Sequence, residues 1–408
     1  MELYVDYTPV NDDLFLTNTP NFLLPTGREY LLHEQDIVAN LAALCLSLRK
    51  NPAIRYQGNS RLAQAVATGL AQTIERDQRR FDAPTATTLL VLDRSFDPIT
   101  PLLTQWTYQA MIHEFIGIDG SKVTVDGKPL VLTNDPFYVQ CLYYLFSDIS
   151  DQLTRNVAAL TQRPGAVPKQ YASLDEMKAA IEAFPELRKE AAGIKKHLAI
   201  MSAVNREVTT RKLMDVSRLE QEIVCGSGKQ ELYNQLIQLL SGPYAETDKL
   251  RVAMLYVLKY EDRVNDVMEE LVIKGVPRSR AQLLETVLGY SSAAKRPVDL
   301  FTITKAVGNF LKKNVTGVEN VFTQHRPVLE RLFDPLASQQ LTDRFPYCRG
   351  GSAAGKEFII YIAGGVTLEE EVAVAMRNRA NPMQRFIIGG SDLLNTTKFL
   401  QCLDQLRR

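Results

Sequence analysis

The strongest constraint on this chain is a short grammar repeated near its two ends. "TTLLVLD" (Thr87–Asp93), "EFIIYIAGG" (Glu357–Gly365) and "QRFIIGG" (Gln384–Gly390) are apolar runs closed by polar or glycine residues. A strand with one covered face alternates apolar and polar residues. A continuous run needs cover on both faces, as in a parallel sheet flanked by helices. The two late runs lead through Gly-Gly turns into the helical patterns "VTLEEEVAVAMRNR" and "SDLLNTTKFLQCLDQL", which reads as strand, turn and helix twice over. Two helical stripes precede the early run: Ile37, Leu41, Leu44 and Leu48, then Leu62, Val66, Leu70 and Ile74.

Residues 172 to 340 are helix-like almost throughout, with a further break at "TQRPGAVPKQ" just before them and others at "CGSGK" and "LSGPYAETD". The expected fold class is therefore α/β: a parallel-sheet domain built from both chain ends, with a large, mostly helical domain inserted between them. The expected boundaries are residues 1–118 and 340–408 for the α/β domain and 119–339 for the insert, with a helical hairpin at about 173–224.

At 408 residues the chain exceeds one typical core. Lys plus Arg and Asp plus Glu both number 47, so the formal net charge is zero and gives no basic surplus for nucleic acid. Cys45, Cys141, Cys225, Cys348 and Cys402 contain no C-x-x-C pair, which fits reduced thiols better than a disulfide framework. His33, His113, His197 and His325 are equally dispersed, so no metal and no cofactor is expected. No apolar run is long enough to span a bilayer. Any membrane association is expected to be indirect, with the anchor supplied by a partner.

Three motifs bear on chemistry. "GGSAAGK" places Gly350 and Gly355-Lys356 at P-loop spacing, but Glu357 stands where Ser or Thr must reach magnesium, and a strand follows instead of a helix. It reads as a loop. The Gly-Gly turns at 364–365 and 389–390 read as tight turns that need positive φ, with Thr367 and Ser391 as helix N-caps and Glu370 completing a capping box behind Thr367. Asp93, Arg94 and Asp97 at the mouth of a strand admit two readings. One is an acid pair with a cationic stabiliser, the equipment of a nucleotide-dependent or hydrolytic enzyme. The other is a structural corner in which Arg94 ties Asp93 or Asp97 while Asp97-Pro98 and Thr100-Pro101 lock the turn.

In "SLDEMKAAIEAFPELRKEAAGIKKHLAIM", Leu187, Ala191, Ile194, Leu198 and Met201 step by four, three, four and three, a coiled-coil seam. Such a stripe either packs on its own domain or offers a groove to a partner helix. Pro185 interrupts the run and marks a bend or hairpin tip.

"LVLDRSFDPITPLLTQWTYQAMIHEFIGI", "LCLSLRKNPAIRY", "FIIYIAGGVTLEEEVAV" and "RFIIGGSDLLNTTKFL" resemble the SM (Sec-one/Munc-eighteen-like) family of SNARE regulators. "KLRVAMLYVLKYE", "GVENVFTQHRPVLERL" and "LMDVSRLEQEI" resemble its vacuolar-sorting branch. The resemblance implies a non-enzymatic protein that binds syntaxin-type and other SNARE motifs and promotes their assembly in vesicle docking and fusion, with no small-molecule substrate. It implies a cytoplasmic protein held at Golgi and endosomal membranes through SNAREs. A tethering subunit without direct SNARE contact is the alternative within trafficking.

The resemblance also implies that the chain begins at the family's second domain. It carries Pro185 onto the bend of a SNARE-binding hairpin and Leu198 onto the contact helix. Leu187, Ile194 and Met201 would then be apolar anchors. Asp93, Arg94, Asp97, Pro98 and Pro101 become the family's structural corner.

Overall fold

The computed structural model describes residues 6–19, 28–81, 86–161, 173, 176, 188–296, 300–301, 324–341, 343–351 and 355–407. In chain order the strands are β1 (Thr8–Pro9), β2 (Leu14–Leu16), β3 (Ala53–Tyr56), β4 (Thr87–Asp93), β5 (Lys122–Val125), β6 (Lys128–Val131), β7 (Tyr347–Arg349), β8 (Glu357–Ala363), β9 (Val366–Thr367), β10 (Arg385–Gly390) and β11 (Leu393–Leu394). Contacts divide the chain into two compact units, Met1–Leu103 with Arg218–Arg408, and Thr104–Ser217. The expected cuts near residues 118 and 339 followed composition. The contact-based cuts fall earlier, because the helices after Ser217 pack with the sheet-bearing unit.

The larger unit holds a sheet ordered β1-β2-β10-β8-β4-β3-β7. Its inner pairs are parallel, and antiparallel pairs close both edges. The register sets Ile360 between Leu90 and Ile388, and Ala363 beside Asp93. All of β4 is buried, as a continuous apolar run requires. Ile37, Leu41 and Leu44 of the helix Arg28–Ser47 and Leu62, Val66, Leu70 and Ile74 of the helix Arg61–Arg76 meet β4 and β8 in one core.

The two Gly-Gly turns differ. Gly364 and Gly365 have φ of 94° and 101°, a left-handed turn that side chains resist. Gly389 has no positive φ. There a Cβ would run into the ring of Phe15, which stacks on Tyr361 at 6.3 Å, so glycine serves close packing. Ser391 is likewise not an N-cap: its hydroxyl accepts from the Gly364 N–H at 3.0 Å. The last helix, Thr396–Leu406, is capped by Asn395 instead. Thr367 and Glu370 do form the expected capping box.

The smaller unit contains the helices Tyr108–Phe115, Phe146–Thr161 and Arg188–Thr210 and the β5–β6 hairpin.

Candidate functional site

The corner is built at the C-terminal end of β4, where Asp93 lies level with the residue before the Gly364-Gly365 turn. Asp93 accepts from Ser60 Oγ at 2.9 Å, the Ser95 N–H at 2.7 Å and the Tyr290 hydroxyl at 2.7 Å. Asp97 accepts from the N–H groups of Ile99 and Thr100 at 3.0 Å each, from Thr100 Oγ1 at 2.6 Å and from the Val328 N–H at 3.1 Å. Burial opposes its charge, but Arg94, His325 and the Thr100 donors hold the Asp97 carboxyl below the usual range.

Arg94 does not tie either aspartate, as the sequence reading expected. Its guanidinium pairs with Glu370, Nη1 to Oε2 at 2.9 Å and Nη2 to Oε1 at 2.8 Å, and donates to the Gly365 carbonyl at 3.2 Å. Both side chains are fully buried. Glu370 Oε2 also accepts from the Thr367 N–H at 2.9 Å and hydroxyl at 3.0 Å. The acid that completes the capping box therefore also neutralises the corner arginine. The reason is geometric. The turn after β8 carries the helix start at Leu368 beside the end of β4, while Asp93 and Asp97 are occupied by nearer N–H and O–H donors.

Each corner carboxylate thus accepts at least three hydrogen bonds from the protein itself. Most of their lone-pair sites are spent on holding the turn. Pro98 and Pro101 stiffen it, with Pro101 inside the 3₁₀ turn Thr100–Leu102. The P-loop look-alike is resolved similarly: β8 begins at Glu357, whose carboxylate accepts from Thr87 Oγ1 at 3.0 Å and pairs with Lys50. Among the described residues no group of His, Cys, Asp or Glu is placed to hold a metal ion.

The second candidate is the helix Arg188–Thr210. Pro185 and Leu187 lie outside the described residues. Ile194, Leu198 and Met201 are 9%, 0% and 3% exposed, and Val204 and Val208 continue the same buried face. The seam expected to stand open for a partner is covered inside its own unit. Its periodicity is that of an ordinary amphipathic helix seated on a core. Among the residues of this helix whose burial is described, the exposed ones are Ala192, Gly193, Lys195, Asn205, Arg206, Thr209 and Thr210.

A polar chain missed at the sequence level fixes this helix. The Tyr108 hydroxyl lies 2.9 Å from His197 Nδ1, and His197 Nε2 lies 3.1 Å from Asp135 Oδ1. The carboxylate requires a proton on Nε2, which leaves Nδ1 to accept from Tyr108. Asp135 is also paired with Lys196 and caps the helix Pro136–Cys141 through the Tyr138 N–H at 2.9 Å. Burial lowers the His197 pKa and Lys196 lowers it further, against the pull of Asp135. The imidazole is therefore held neutral. Nothing in local spacing could have joined His197 to partners 62 and 89 residues away.

The comparisons with known proteins bear on the whole chain. The Sec1 family model matches residues 1–402. The vacuolar protein sorting-associated protein 45 of Dictyostelium discoideum is 32% identical, over 98% of this chain and 75% of that protein. Its Homo sapiens counterpart is 33% identical over 98% and 74%. The solved structure "SM Protein Vps45 in Complex with Qa SNARE Tlg2 (1-310)" superposes with a TM-score of 0.82 at 30% identity, covering 98% of this chain and 75% of that one. The Unc18–syntaxin 1 complex from Monosiga brevicollis matches in fold, with a TM-score of 0.77 at 19% identity over 98% and 76%. Matched by the family model over residues 1–402 and by relatives at 32% and 33% identity over 98% of its length, the chain belongs to the Sec1 family.

Proposed function

We propose that this chain binds syntaxin-type (Qa) SNAREs and promotes SNARE complex assembly in vesicle docking and fusion on Golgi, endosomal or vacuolar routes. The observation that carries this reading is the similarity, at 30% identity over 98% of the chain, to a Vps45 structure solved with the Qa SNARE Tlg2. In this reading the protein acts by binding, and the corner acids serve to hold the turn. It works in the cytoplasm, at membranes that carry its SNAREs.

The SNARE-contacting surface in this reading is the hairpin at about 173–224. Pro185 sets its bend, Leu187 makes apolar contact, and the exposed Lys195 side of the helix Arg188–Thr210 faces the partner. Ile194, Leu198 and Met201 act through the helix by seating it, since all three are buried.

Titration calorimetry with Qa SNARE motifs, against an unrelated coiled coil of equal length, tests the reading. Saturable binding to a SNARE motif that Leu187→Arg weakens is expected. Absence of binding to every motif overturns SNARE recognition. A stoichiometric heat with ATP or GTP plus magnesium would overturn the non-enzymatic reading.

A further inference from the structure

The sheet of the larger unit has a second end, opposite the corner, where Thr87, Glu357 and Arg385 stand side by side at the starts of β4, β8 and β10. The helices Arg61–Arg76 and Leu368–Ala380 return to this edge before the chain enters β4 and β10. Arg49, Arg79, Arg80, Lys356, Arg379 and Arg385 are all exposed along it. Among the described residues the exposed acids there are Asp12, Glu75 and Asp334, and Arg377 takes up Asp334 at 2.7 Å. Arg385 is also bound to Asp13, at 2.8 Å. Among the described residues, exposed cations thus outnumber exposed acids on this edge of the unit, in a chain whose formal net charge is zero. Helix dipoles account for cations in a last turn, such as Arg76 and Arg379. They do not account for Lys356, which stands just before the start of β8.

The same edge carries an apolar tip. Between Arg379 and Arg385 the turn lifts Met383 into solvent at 69% exposure. The turn is braced, because Gln384 Oε1 accepts from Arg377 Nη2 and Asn381 Nδ2 at 3.1 Å each. A braced turn presents its methionine instead of folding it inward. An acidic helix would want an apolar groove beside the charge. Cations spread over successive strand starts, with one projecting apolar side chain, suit a planar anionic surface.

We propose that this edge docks directly on an anionic lipid bilayer, with the basic side chains among the headgroups and Met383 entering the headgroup–acyl boundary. The contact is weak and salt-sensitive, because it rests on exposed charge and one apolar side chain. Among the described residues no helix is long and apolar enough to cross a membrane, so the contact is peripheral. The inference goes beyond SNARE recognition and does not rest on it.

Co-flotation of this chain with protein-free vesicles tests it, comparing phosphatidylcholine alone with phosphatidylcholine carrying about 30 mol% phosphatidylserine. Flotation only with the anionic vesicles is expected, falling about tenfold between roughly 0.1 M and 0.5 M salt. The combined variant Arg79→Gln, Lys356→Gln, Arg379→Gln should lose about tenfold in binding. Met383→Ser alone should lose a smaller but measurable share at unchanged charge. Thermal unfolding checks that each variant folds, and the single variant Lys356→Gln stands in should the triple one fail. No flotation with anionic vesicles overturns the proposal, as does flotation indifferent to these substitutions in folded protein. Loss of SNARE-motif binding with unchanged vesicle binding would assign the edge to an acidic protein segment and overturn it equally.

Discussion

Arg94 and Glu370, 276 residues apart in sequence, form a two-point ion pair at 2.8 and 2.9 Å with both side chains excluded from solvent. Such a pair adds little over apolar residues of equal size, because desolvation offsets the attraction. Removing one partner is different, since the other charge is then buried alone. Glu370→Ala is expected to destabilise the larger unit by about 3–5 kcal/mol, and it also breaks the cap on Leu368–Ala380. Arg94→Met combined with Glu370→Met should recover much of the loss, leaving mainly a capping deficit of about 1 kcal/mol. Denaturant unfolding of the two single variants and the double one measures the coupling. Additive single losses would show that the pair does not act as a unit.

Leu198 offers the sharpest test of how the helix Arg188–Thr210 works. It is fully buried beside Ile194 and Met201. Leu198→Ala is therefore expected to cost about 2–5 kcal/mol in stability, as for other core leucines. Lys195→Glu, on the exposed side, should leave unfolding within about 0.5 kcal/mol of the parent. If Leu198→Ala unfolds like the parent while losing SNARE binding, the residue is a contact and not a support.

The contrast between these two sites shows what residue order can carry. Strand β4, the stripes Leu62–Ile74 and Ile37–Leu44, and the Thr367–Glu370 capping box were legible because each is a local pattern: a continuous run, a period near four, a spacing of three. The partner of Arg94 was not legible. Asp93 and Asp97 are nearer in sequence, but their lone pairs are taken by Ser60, Thr100, Tyr290 and Val328, contacts that exist only once the chain is folded. The seam at Ile194, Leu198 and Met201 was legible as apolar, yet periodicity says nothing of what covers it. The helix starting at Ser391 was misplaced because β11 and Asn395 intervene, and a two-residue strand leaves almost no pattern.

Glu369 carries a pH dependence beside the corner. Burial raises its carboxyl pKa to about 7, and Glu330 and Glu370 push the same way against Arg326. Glu330 is itself raised by burial, also against Arg326. In the folded state Glu369 prefers the neutral form up to about pH 7, while in the unfolded chain it ionises in the ordinary carboxylate range. The contribution of Glu369 to stability is full below that range and is lost as pH climbs toward 7. Glu369→Gln keeps the neutral shape at every pH. The variant should match the parent in denaturant midpoint near pH 4, where both are uncharged, and exceed it near pH 8. Equal midpoints at both pH values would mean that the carboxyl is solvated and its burial is immaterial.

Among the described residues, His197 is the one polar side chain on the covered face next to Leu198. Its neutral ring spans Tyr108 and Asp135, so truncation strands a hydroxyl on one side and weakens a capping carboxylate on the other. His197→Ala is expected to lower stability by about 1–3 kcal/mol for the unpaired buried groups, with a further loss from the cavity. His197→Gln keeps a donor on the Asp135 side and should recover part of it. Hydrogen exchange separates a local from a general effect. If the chain seats the helix, amides of Arg188–Thr210 and of Pro136–Cys141 lose protection together, ahead of the rest of the unit. Uniform loss across the whole unit would reduce His197 to an ordinary core residue, and the register of the helix would then rest on Leu198 and its apolar neighbours alone.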